Sequence, residues 1–442
     1  MKLAIIGGGG FRVPQVFEAI AADDAPARID ELCLYDLSES RLATVHAIIR
    51  QLAATARYAP DVTVTTDLVE ALQGADFVFS AVRIGGTHGR IVDERTALDL
   101  GVLGQETVGP GGLAFALRTL PFMTHLAKAI RNIAPEAWVI NFTNPAGIVT
   151  ESMRAELGDR VVGICDTPIG LMRRAVAAAG ATTADVRFDY VGINHLGWLR
   201  AVTAGSDDLL ARLLASDDAL GEIEEARLLG FDWVRAQGAL PNEYLYYYAY
   251  TREATERIRS APLTRGEFLD RQQAPFFAAP GDDPLATWMR TRRDREASYM
   301  SESRRDDEPR RAADVDDGGY QRVALDLMAA LSTGRAATMI LNVRNGELVP
   351  QLPDDAVVEV GCTVDGDGIR PWPIAPVAGE MLGLMAQVKA AEQLIIEATR
   401  ERSRELAWRA FAAHPLVDSV AVARLLVDRY RARFETIAKL LD

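Results

Sequence analysis

The chain has 442 residues, 49% of them apolar and 25% charged, which is ordinary for a folded globular protein. Its 62 acidic and 48 basic side chains give a net charge of −14, the wrong sign for a protein that neutralises nucleic-acid phosphates. The three cysteines are too widely spaced for a disulfide framework, and no run approaches the ~18 apolar residues that a membrane span needs. We therefore expect a cytoplasmic protein with neither a nucleic-acid nor a membrane partner.

Strand-like and helical patterns alternate through the N-terminal part of the chain. The runs at 77–82 and 138–142 are almost continuously apolar, as parallel strands covered on both faces are. This alternation predicts a Rossmann-like, doubly wound α/β fold with a parallel sheet. The predicted strands are Lys2–Ile6, Glu31–Asp36, Val62–Thr65, Phe77–Val82, Trp138–Phe142, Arg160–Cys165 and Tyr190–Ile193, and the first two predicted helices are Val13–Ala22 and Ser38–Ala56.

The second half of the chain has less regular patterns. Helical spacing is found near 206–238 and again over 378–442, and strand-like runs at 338–346 and 357–365 predict a small additional sheet. The segment 291–320 is dense in arginine, aspartate and glutamate and has no apolar periodicity. We therefore expect this segment to be a mobile or solvent-exposed excursion.

A glycine-rich run, GGGGFRVP at 7–14, lies between the first predicted strand and the first predicted helix. Backbone N–H groups and a helix N-terminus in that context can bind a pyrophosphate. The fingerprint is incomplete, because Arg12 or Val13 stands where a third glycine is usual. A tight turn in a fold that binds no nucleotide is the alternative. The residues of this run that we assign to a dinucleotide are Gly7, Gly8, Gly9, Gly10 and Phe11.

Polar side chains follow two of the other predicted strands. Asp36 ends the second strand, where an acidic side chain accepts hydrogen bonds from the adenosine ribose and favours NAD over NADP. In WVINFTNPAG at 138–147, Asn141, Thr143 and Asn144 end a buried strand. Ligands of open α/β sheets bind at such strand ends, so these side chains are candidates for holding nicotinamide or a substrate hydroxyl. A turn that merely ends the strand is the alternative.

Two short apolar runs end in soft metal ligands. Cys165 follows VVGI at 161–164, and His195 follows YVGIN at 190–194. Thiolate and imidazole together suit soft to borderline divalent ions, and two protein ligands leave coordination positions for substrate oxygens. Taken separately, each is more commonly a packed core residue.

Four motifs of the chain, in their order along the sequence, resemble those of a known enzyme family. GQETVGPGG at 104–112, NFTNPAG, GICDTP and GINHLGW, following the glycine run, are similar to motifs of the NAD- and metal-dependent glycosidases of glycoside hydrolase family four. The aromatic run PNEYLYYYAY at 241–250 and the QET-x-GPGG motif resemble those of the 6-phospho-β-glucosidases of that family. This family is an exception to glycoside hydrolysis by two carboxylates.

The resemblance implies a redox mechanism and roles for particular residues. The sugar is oxidised at C3 with NAD as hydride acceptor, loses its C2 proton, eliminates the aglycone, adds water and is reduced again. Cys165 and His195 would bind a divalent ion, manganese in this family, that stabilises charge on the substrate. Tyr244 would be the base that takes the C2 proton, and its phenol would then need a lowered pKa. Asp166 matches a proton donor of α-specific relatives.

The resemblance also implies substrate contacts and an organisation into domains. Asn144, Arg90 and Arg265 match residues that bind the sugar or its 6-phosphate, for which a guanidinium fork is suited. We expect an NAD-binding domain over 1–165 and a C-terminal α+β domain over 166–442 that carries catalysis, metal binding and assembly. The apolar C-terminal helices favour a homodimer or homotetramer.

One motif departs from the phospho-specific pattern. Those enzymes usually follow the glycine run with Ser-Tyr-Thr-Pro, whereas this chain has Phe11-Arg12-Val13-Pro14. Either Arg12 replaces the hydroxyls in binding the 6-phosphate, or the substrate is an unphosphorylated or α-linked glycoside. Two other functions remain open at this point: an NAD-dependent dehydrogenase of the malate or lactate type, and a non-catalytic NAD sensor.

Overall fold

Strands from both halves of the chain join in one sheet. The computed structural model of the protein describes residues 1–23, 28–304, 310, 311, 314 and 319–442. Its strands are β1 (Lys2–Ile6), β2 (Glu31–Tyr35), β3 (Asp61–Thr65), β4 (Phe77–Ser80), β5 (Trp138–Asn141), β6 (Val161–Gly163), β7 (Arg187–Ile193), β8 (Leu196–Ala204), β9 (Asp207–Asp208), β10 (Leu240–Pro241), β11 (Ala337–Arg344), β12 (Val357–Asp365) and β13 (Gly368–Pro371).

The sheet has a parallel half and an antiparallel half. The parallel half has the order β3-β2-β1-β4-β5-β6, and the antiparallel half continues from β6 as β11-β12-β7-β8-β10. The first order is that of a doubly wound dinucleotide-binding fold, whose ligands lie outside the carboxyl ends of the strands where the order reverses. The predicted Rossmann-like sheet is therefore confirmed.

Helices cover both faces of this sheet. No helix among the described residues is long and apolar enough to cross a membrane. The helices are α1 (Val13–Ala22), α2 (Glu39–Thr55), α3 (Leu68–Leu72), α4 (Gly86–Leu98), α5 (Pro110–Ile133), α6 (Ala146–Leu157), α7 (Thr167–Ala178), α8 (Leu209–Leu214), α9 (Asp217–Gly221), α10 (Glu224–Leu229), α11 (Phe231–Gln237), α12 (Tyr246–Ala249), α13 (Thr251–Ser260), α14 (Arg265–Ala278), α15 (Pro284–Ala297), α16 (Gly319–Thr333), α17 (Gly379–Glu401), α18 (Arg404–Ala413), α19 (Val420–Arg433) and α20 (Glu435–Leu441).

Strand β1 shows why the sheet has to be covered on both faces. Leu3 and Ile5 belong to one apolar cluster, while Ala4 and Ile6 belong to another. Since successive side chains of a strand point to opposite faces, the two clusters lie on opposite sides of the sheet. The first cluster continues under β7, β8, β11 and β12, and the second is closed by α5, α17, α18 and α19.

The expectation of a small additional sheet is wrong. Strands β11 and β12 form no separate sheet, because Asn342 of β11 pairs with Gly163 of β6, and Glu359 of β12 pairs with Gly192 of β7. The sheet therefore crosses the boundary that the sequence places between residues 165 and 166.

The segment 291–320 is not an exposed excursion where it is described. Its first part completes α15, and Met300 and Tyr320 are buried in the larger apolar cluster. The rest of the predicted excursion lies outside the described residues. Charge density misled the prediction, because several of these charged side chains face a cavity rather than bulk solvent.

Helix α15 packs against the glycine-rich run through one side chain. Trp288 is the fully buried residue of this helix, and its indole N–H donates to the Phe11 carbonyl oxygen at 2.9 Å. Phe11, Phe276, Ile48 and Trp288 form a small apolar cluster of their own. This contact fixes the N-terminal half of α15 beside the glycine-rich run.

Replacing Trp288 tests how much this docking contributes to stability. Trp288→Ala is expected to lower the free energy of unfolding by about 3–5 kcal/mol, because it leaves a large cavity and an unpaired carbonyl. Trp233→Ala is the matched control, since that ring is 40% exposed. Urea unfolding of the three proteins measures the difference, and an equal loss in both variants would contradict the docking role.

Candidate active site

The glycine-rich run is held tightly between three strands. The N–H groups of Gly7 and Gly8 both donate to the Tyr35 carbonyl oxygen, at 2.9 and 2.7 Å. Gly7 has φ +96°, and a Cβ there would lie 2.6 Å from the Ala81 carbonyl oxygen. A side chain at this position is therefore excluded both by conformation and by space.

Asp36 is fixed at the edge of the same run. Its carboxylate accepts hydrogen bonds from the N–H of Gly9 at 3.1 Å and from the N–H of Ser38 at 3.0 Å. Each oxygen retains lone-pair capacity toward the cavity, which Asp36 lines. This is the arrangement in which an acidic side chain after β2 accepts hydrogen bonds from ribose hydroxyls.

A cavity of about 1270 Å³ opens where the carboxyl ends of β1, β4, β5 and β6 meet. Most of the site residues predicted from the sequence line it, whereas Gly8, Gly9 and Asn141 do not. Gly8 packs instead on Leu34, where a Cβ would approach to 2.7 Å. The predicted residues that line the cavity are Gly7, Gly10, Phe11, Asp36, Arg90, Asn144, Cys165, Asp166, His195, Tyr244 and Arg265.

Asn141 needs a correction as a cofactor ligand. It is fully buried, and its amide nitrogen donates to Thr150 Oγ1 at 3.1 Å and to the Ala146 carbonyl oxygen at 3.2 Å. Its amide oxygen accepts from Ser80 Oγ at 2.8 Å and from the Thr143 N–H at 3.1 Å. Asn141 therefore shapes the turn that presents Asn144 and does not itself reach the cavity.

His195 is held with one ring nitrogen engaged. Its Nδ1 lies 2.9 Å from Thr107 Oγ1, and its ring stacks on Tyr244 with a centroid distance of 3.8 Å. The backbone of His195 has φ +64°, which is uncommon outside glycine and concentrates at functional sites. Burial lowers the pKa of the imidazole to about 3, so the ring is neutral and one of its nitrogens has a free lone pair.

Cys165 lies in surroundings that a cation would complement. Burial, with Glu359 and Asp166 nearby, raises the pKa of its thiol well above the usual value. A divalent ion reverses this preference, because it stabilises the thiolate. Among the described residues no group of three or more histidine, cysteine or carboxylate side chains could hold a metal. The Cys165 and His195 pair therefore fits an ion that takes its remaining ligands from substrate or water.

Glu359 is a residue of this region that sequence reasoning missed. Gly163, Asn342, Glu359 and Gly192 pair in a row across four strands, which brings the segments before Cys165 and His195 into one region. The Glu359 carboxylate accepts from Asn342 Nδ2 at 2.8 Å, and burial raises its pKa to about 7. A lone acid within the apolar run VVEVGC was the available signal.

The pKa of Tyr244 is shifted in the direction opposite to that expected of the base. Burial and the neighbouring Glu243 raise the pKa of its hydroxyl, the opposite of the lowering that the sequence analysis requires. Its backbone N–H donates to Asn242 Oδ1 at 3.0 Å, which fixes the turn. The Tyr299 hydroxyl lies 3.0 Å from its phenol oxygen. Tyr299 was also missed, since it lies in the segment predicted to be exposed.

Arg90 and Arg265 differ in how their charge is neutralised. Arg90 forms ion pairs with Glu94 at 2.6 Å and with Glu106 at 2.5 Å. Arg265 instead donates to Ser298 Oγ at 2.7 Å and to the Arg295 carbonyl oxygen at 2.7 Å, and burial lowers its pKa to about 10. Arg90 is thus structurally satisfied, whereas Arg265 keeps an uncompensated charge.

Arg12, Arg265 and Arg295 form a cationic cluster in the cavity wall. No carboxylate of the described residues forms an ion pair with any of the three. Burial together with Arg12 and Arg265 lowers the pKa of Arg295 well below its usual value, and its buried Nε has no hydrogen-bond partner. The Arg12 guanidinium lies 5.3 Å from the ring centre of Tyr320. Such a cluster is chemically suited to an anion.

Comparison with known proteins agrees with this geometry. Residues 2–181 match the model of family 4 glycosyl hydrolases, and residues 190–417 match that of the family 4 glycosyl hydrolase C-terminal domain. A probable 6-phospho-β-glucosidase from Bacillus subtilis is 30% identical over 97% of this chain and 95% of the relative.

Solved structures of phosphoglucosidases are similar to this chain. A 6-phospho-α-glucosidase from gut microorganisms, in complex with NAD and Mn²⁺, has a TM-score of 0.82 at 25% identity over 99% of this chain and 98% of that one. The 6-phospho-β-glucosidase from Thermotoga maritima, with NAD and glucose 6-phosphate, has a TM-score of 0.82 at 26% identity over 98% of each chain.

A more distant likeness concerns the fold alone. Malate dehydrogenase from Plasmodium falciparum has a TM-score of 0.50 at 11% identity over 93% of this chain and 99% of that one. This likeness agrees with the predicted Rossmann-like fold. The two family models together cover most of the sequence, and the chain belongs to family 4 of the glycosyl hydrolases.

Proposed function

We propose that this glycosidase hydrolyses 6-phospho-β-glucosides with NAD and a divalent metal ion, Mn²⁺, as cofactors. The observation that carries the proposal is the cationic cluster of Arg12, Arg265 and Arg295 in the same cavity as Cys165 and His195. A site for a small dianion and a site for a divalent cation thus face one space. A sugar phosphate with vicinal hydroxyls has both complementary groups.

The glycine-rich run and Asp36 would hold the dinucleotide. Gly7 and Gly10 line the cavity with bare backbone, and Asp36 faces the expected ribose position. NAD supplies the hydride acceptor for C3, and the divalent ion supplies a charge that stabilises the oxygens of the substrate when both are bound. The family comparison favours this redox glycosidase over a simple dehydrogenase or a sensor.

The cationic cluster would hold the 6-phosphate. The glycine-rich run would provide the site for the pyrophosphate of the dinucleotide. The three guanidinium groups, which come from a loop and from α14 and α15 around the cavity, would provide a second anion site. A phosphate dianion would accept charge-assisted hydrogen bonds from them and relieve their mutual repulsion. Arg12 would thus replace the hydroxyl side chains that phospho-specific relatives carry after the glycine-rich run.

The remaining cavity residues would orient and deprotonate the sugar. Tyr244, which stacks on His195, would take the C2 proton, and Asn144, which lines the cavity, would hydrogen-bond a sugar hydroxyl. Asp166 begins α7 without capping it, so its carboxyl is available to the leaving oxygen. The β-anomer is proposed on the likeness to the Bacillus subtilis relative, and cleavage of the α-anomer is the alternative outcome.

Assembly and location are also proposed. The described cysteines, Cys33, Cys165 and Cys362, are free and buried, which suits the reducing cytoplasm. Val420 and Leu425 are large apolar side chains that α19 exposes, and they suit a contact between copies in a homodimer or homotetramer.

A kinetic comparison of two arginine variants tests the phosphate site. Arg295→Gln is expected to lower kcat/KM for p-nitrophenyl 6-phospho-β-glucoside by about 10- to 100-fold, the loss of one charge-assisted contact. Arg290→Gln, on the exposed side of the same helix, is the matched control and should retain activity. Both are measured with NAD and Mn²⁺ under reducing conditions, and each cofactor is omitted in turn.

Titration with NAD shows whether Arg295 binds the 6-phosphate of the substrate or the pyrophosphate of the dinucleotide. Calorimetric titration with NAD should give the same Kd for Arg295→Gln and the unaltered protein. A weaker NAD complex with an unchanged KM for the glycoside would assign Arg295 to the dinucleotide and contradict the phosphate site. Activity without added NAD or Mn²⁺, after their removal, would contradict the redox mechanism.

Removal of the thiol tests the metal site. Cys165→Ser is expected to weaken Mn²⁺ binding by at least roughly 10-fold, because only His195 then remains as a strong ligand. Cys33→Ala is the control, since Cys33 is buried in β2 away from the cavity. Electron paramagnetic resonance of free Mn²⁺ during titration measures both. Equal affinity in all three proteins would remove Cys165 from the metal site.

A further inference from the structure

Three side chains beside the cavity form an unbroken chain of hydrogen bonds. The Tyr299 hydroxyl lies 2.6 Å from Glu243 Oε1 and 3.0 Å from the phenol oxygen of Tyr244. Glu243 is 2% exposed, and Tyr244 and Tyr299 both line the cavity. The distances are those of ordinary O–H···O hydrogen bonds, so a proton can pass along the chain without movement of the backbone.

The single proton of Tyr299 gives this chain a direction. A hydroxyl group has one proton, and the carboxylate is its stronger acceptor. With that proton donated to Glu243, the Tyr299 oxygen is left to accept the proton of Tyr244. The Tyr244 hydroxyl then keeps a lone pair that is not engaged by Tyr299 and is available to the substrate side of the site.

The surroundings of Glu243 favour uptake of a proton. Glu224 and Glu225 of α10 approach it, and each is already bound to an arginine: Glu224 to Arg310 at 3.0 Å and Glu225 to Arg174. Burial, and then these two carboxylates, raise the pKa of Glu243. That pKa lies at about 8, so the ionised carboxylate, which is the form that accepts a proton from Tyr299, prevails above that pH and is then a stronger base than an exposed glutamate.

We propose that Glu243, acting through Tyr299, receives the proton that Tyr244 releases when Tyr244 takes the C2 proton of the substrate. The C2–H bond breaks, and its electron pair remains on the carbon next to the C3 ketone. The C2 proton forms a new O–H bond on Tyr244, the former Tyr244 proton moves to Tyr299, and the former Tyr299 proton moves to Glu243. The inference rests on the proposed function, which supplies the C3 ketone.

The shift has a consequence for the charge of the site. Tyr244 gains one proton as it loses another, so its own charge does not change during the step. The negative charge leaves Glu243, which becomes a neutral carboxylic acid, and appears on the substrate. Tyr299 and Glu243 are thus positioning residues for Tyr244, and re-protonation at C2 reverses the same shift.

Two conservative variants and one control test the relay. Tyr299→Phe removes the middle hydroxyl, and Glu243→Gln keeps an oxygen that accepts from Tyr299 but takes up no proton. Tyr246→Phe is the control, because its hydroxyl donates to the Glu302 carbonyl oxygen at 3.2 Å and so contacts the same segment without touching Tyr244. Circular dichroism and NAD titration establish that each variant is folded and binds the dinucleotide.

The readouts are kcat, KM and the kinetic isotope effect of substrate deuterated at C2. Both Tyr299→Phe and Glu243→Gln are expected to lower kcat by about 10²-fold, as removal of general-base function does, with KM nearly unchanged. Their C2 isotope effect should equal or exceed that of the unaltered protein, because C2–H cleavage becomes more rate-limiting. Tyr246→Phe should alter none of the three quantities.

Each other outcome overturns a defined part of the account. If either relay variant keeps kcat close to that of Tyr246→Phe, or loses kcat with a diminished C2 isotope effect, Glu243 is not the proton acceptor. If the unaltered protein cleaves no glycoside with NAD and Mn²⁺ present, the proposed function fails and the relay with it. Activity of the unaltered protein together with unimpaired variants overturns the relay alone.

Discussion

Repulsion among guanidinium groups is the constraint on which this site depends. Arg12, Arg265 and Arg295 share the wall of one cavity in a protein whose net charge is −14, yet no described carboxylate pairs with them. Desolvated like charges are costly unless an opposite charge joins them. The fold maintains the arrangement by docking α15 through buried Trp288 and by tying Arg265 to the end of that helix. A bound dianion would offset the repulsion in this part of the cavity.

The opposite sign of charge prevails around Cys165 and His195, the proposed metal ligands. Burial and the nearby acids Glu359 and Asp166 disfavour the thiolate of Cys165, while His195 presents a neutral ring. A divalent cation would stabilise the thiolate of Cys165 and would bind the neutral ring of His195. Separation of the two kinds of charge within one cavity orients a substrate that has an anionic group and vicinal hydroxyls. The single sheet makes this possible, because β6 and β7, which precede the two ligands, are joined through β11 and β12.

Much of the fold could be predicted because its signals are local. Apolar strands with a glycine turn after β1 identify a doubly wound sheet, and Cys165 and His195 follow short apolar runs. Asn141 was misassigned because the sequence does not tell whether an amide at a strand end faces a ligand or satisfies its own turn. Arg295 and Tyr299 were missed for a different reason. Their segment has no apolar periodicity, and long-range contacts, among them the docking of Trp288 and the hydrogen bonds of Arg265, turn it toward the cavity.

Tyr244, the proposed base, shows the limit of reasoning from residue type. A tyrosine at position 244 fits the family motif, but the burial that raises its pKa is a property of the assembled site. Glu243 and Tyr299 lie 56 residues apart in the sequence, so their contact with Tyr244 could not be inferred from spacing. The hydrogen-bond chain offers a way for a buried phenol to act as a base without first becoming charged.

The most direct test of the account is the ratio of kcat/KM for p-nitrophenyl 6-phospho-β-glucoside to that for the unphosphorylated p-nitrophenyl β-glucoside, with NAD and Mn²⁺ present under reducing conditions. The account predicts a preference for the phosphorylated substrate of at least ~10³-fold, because two or more charge-assisted contacts are lost with the phosphate. Equal rates for the two substrates, or a preference for the unphosphorylated one, would contradict the central role of the arginine cluster.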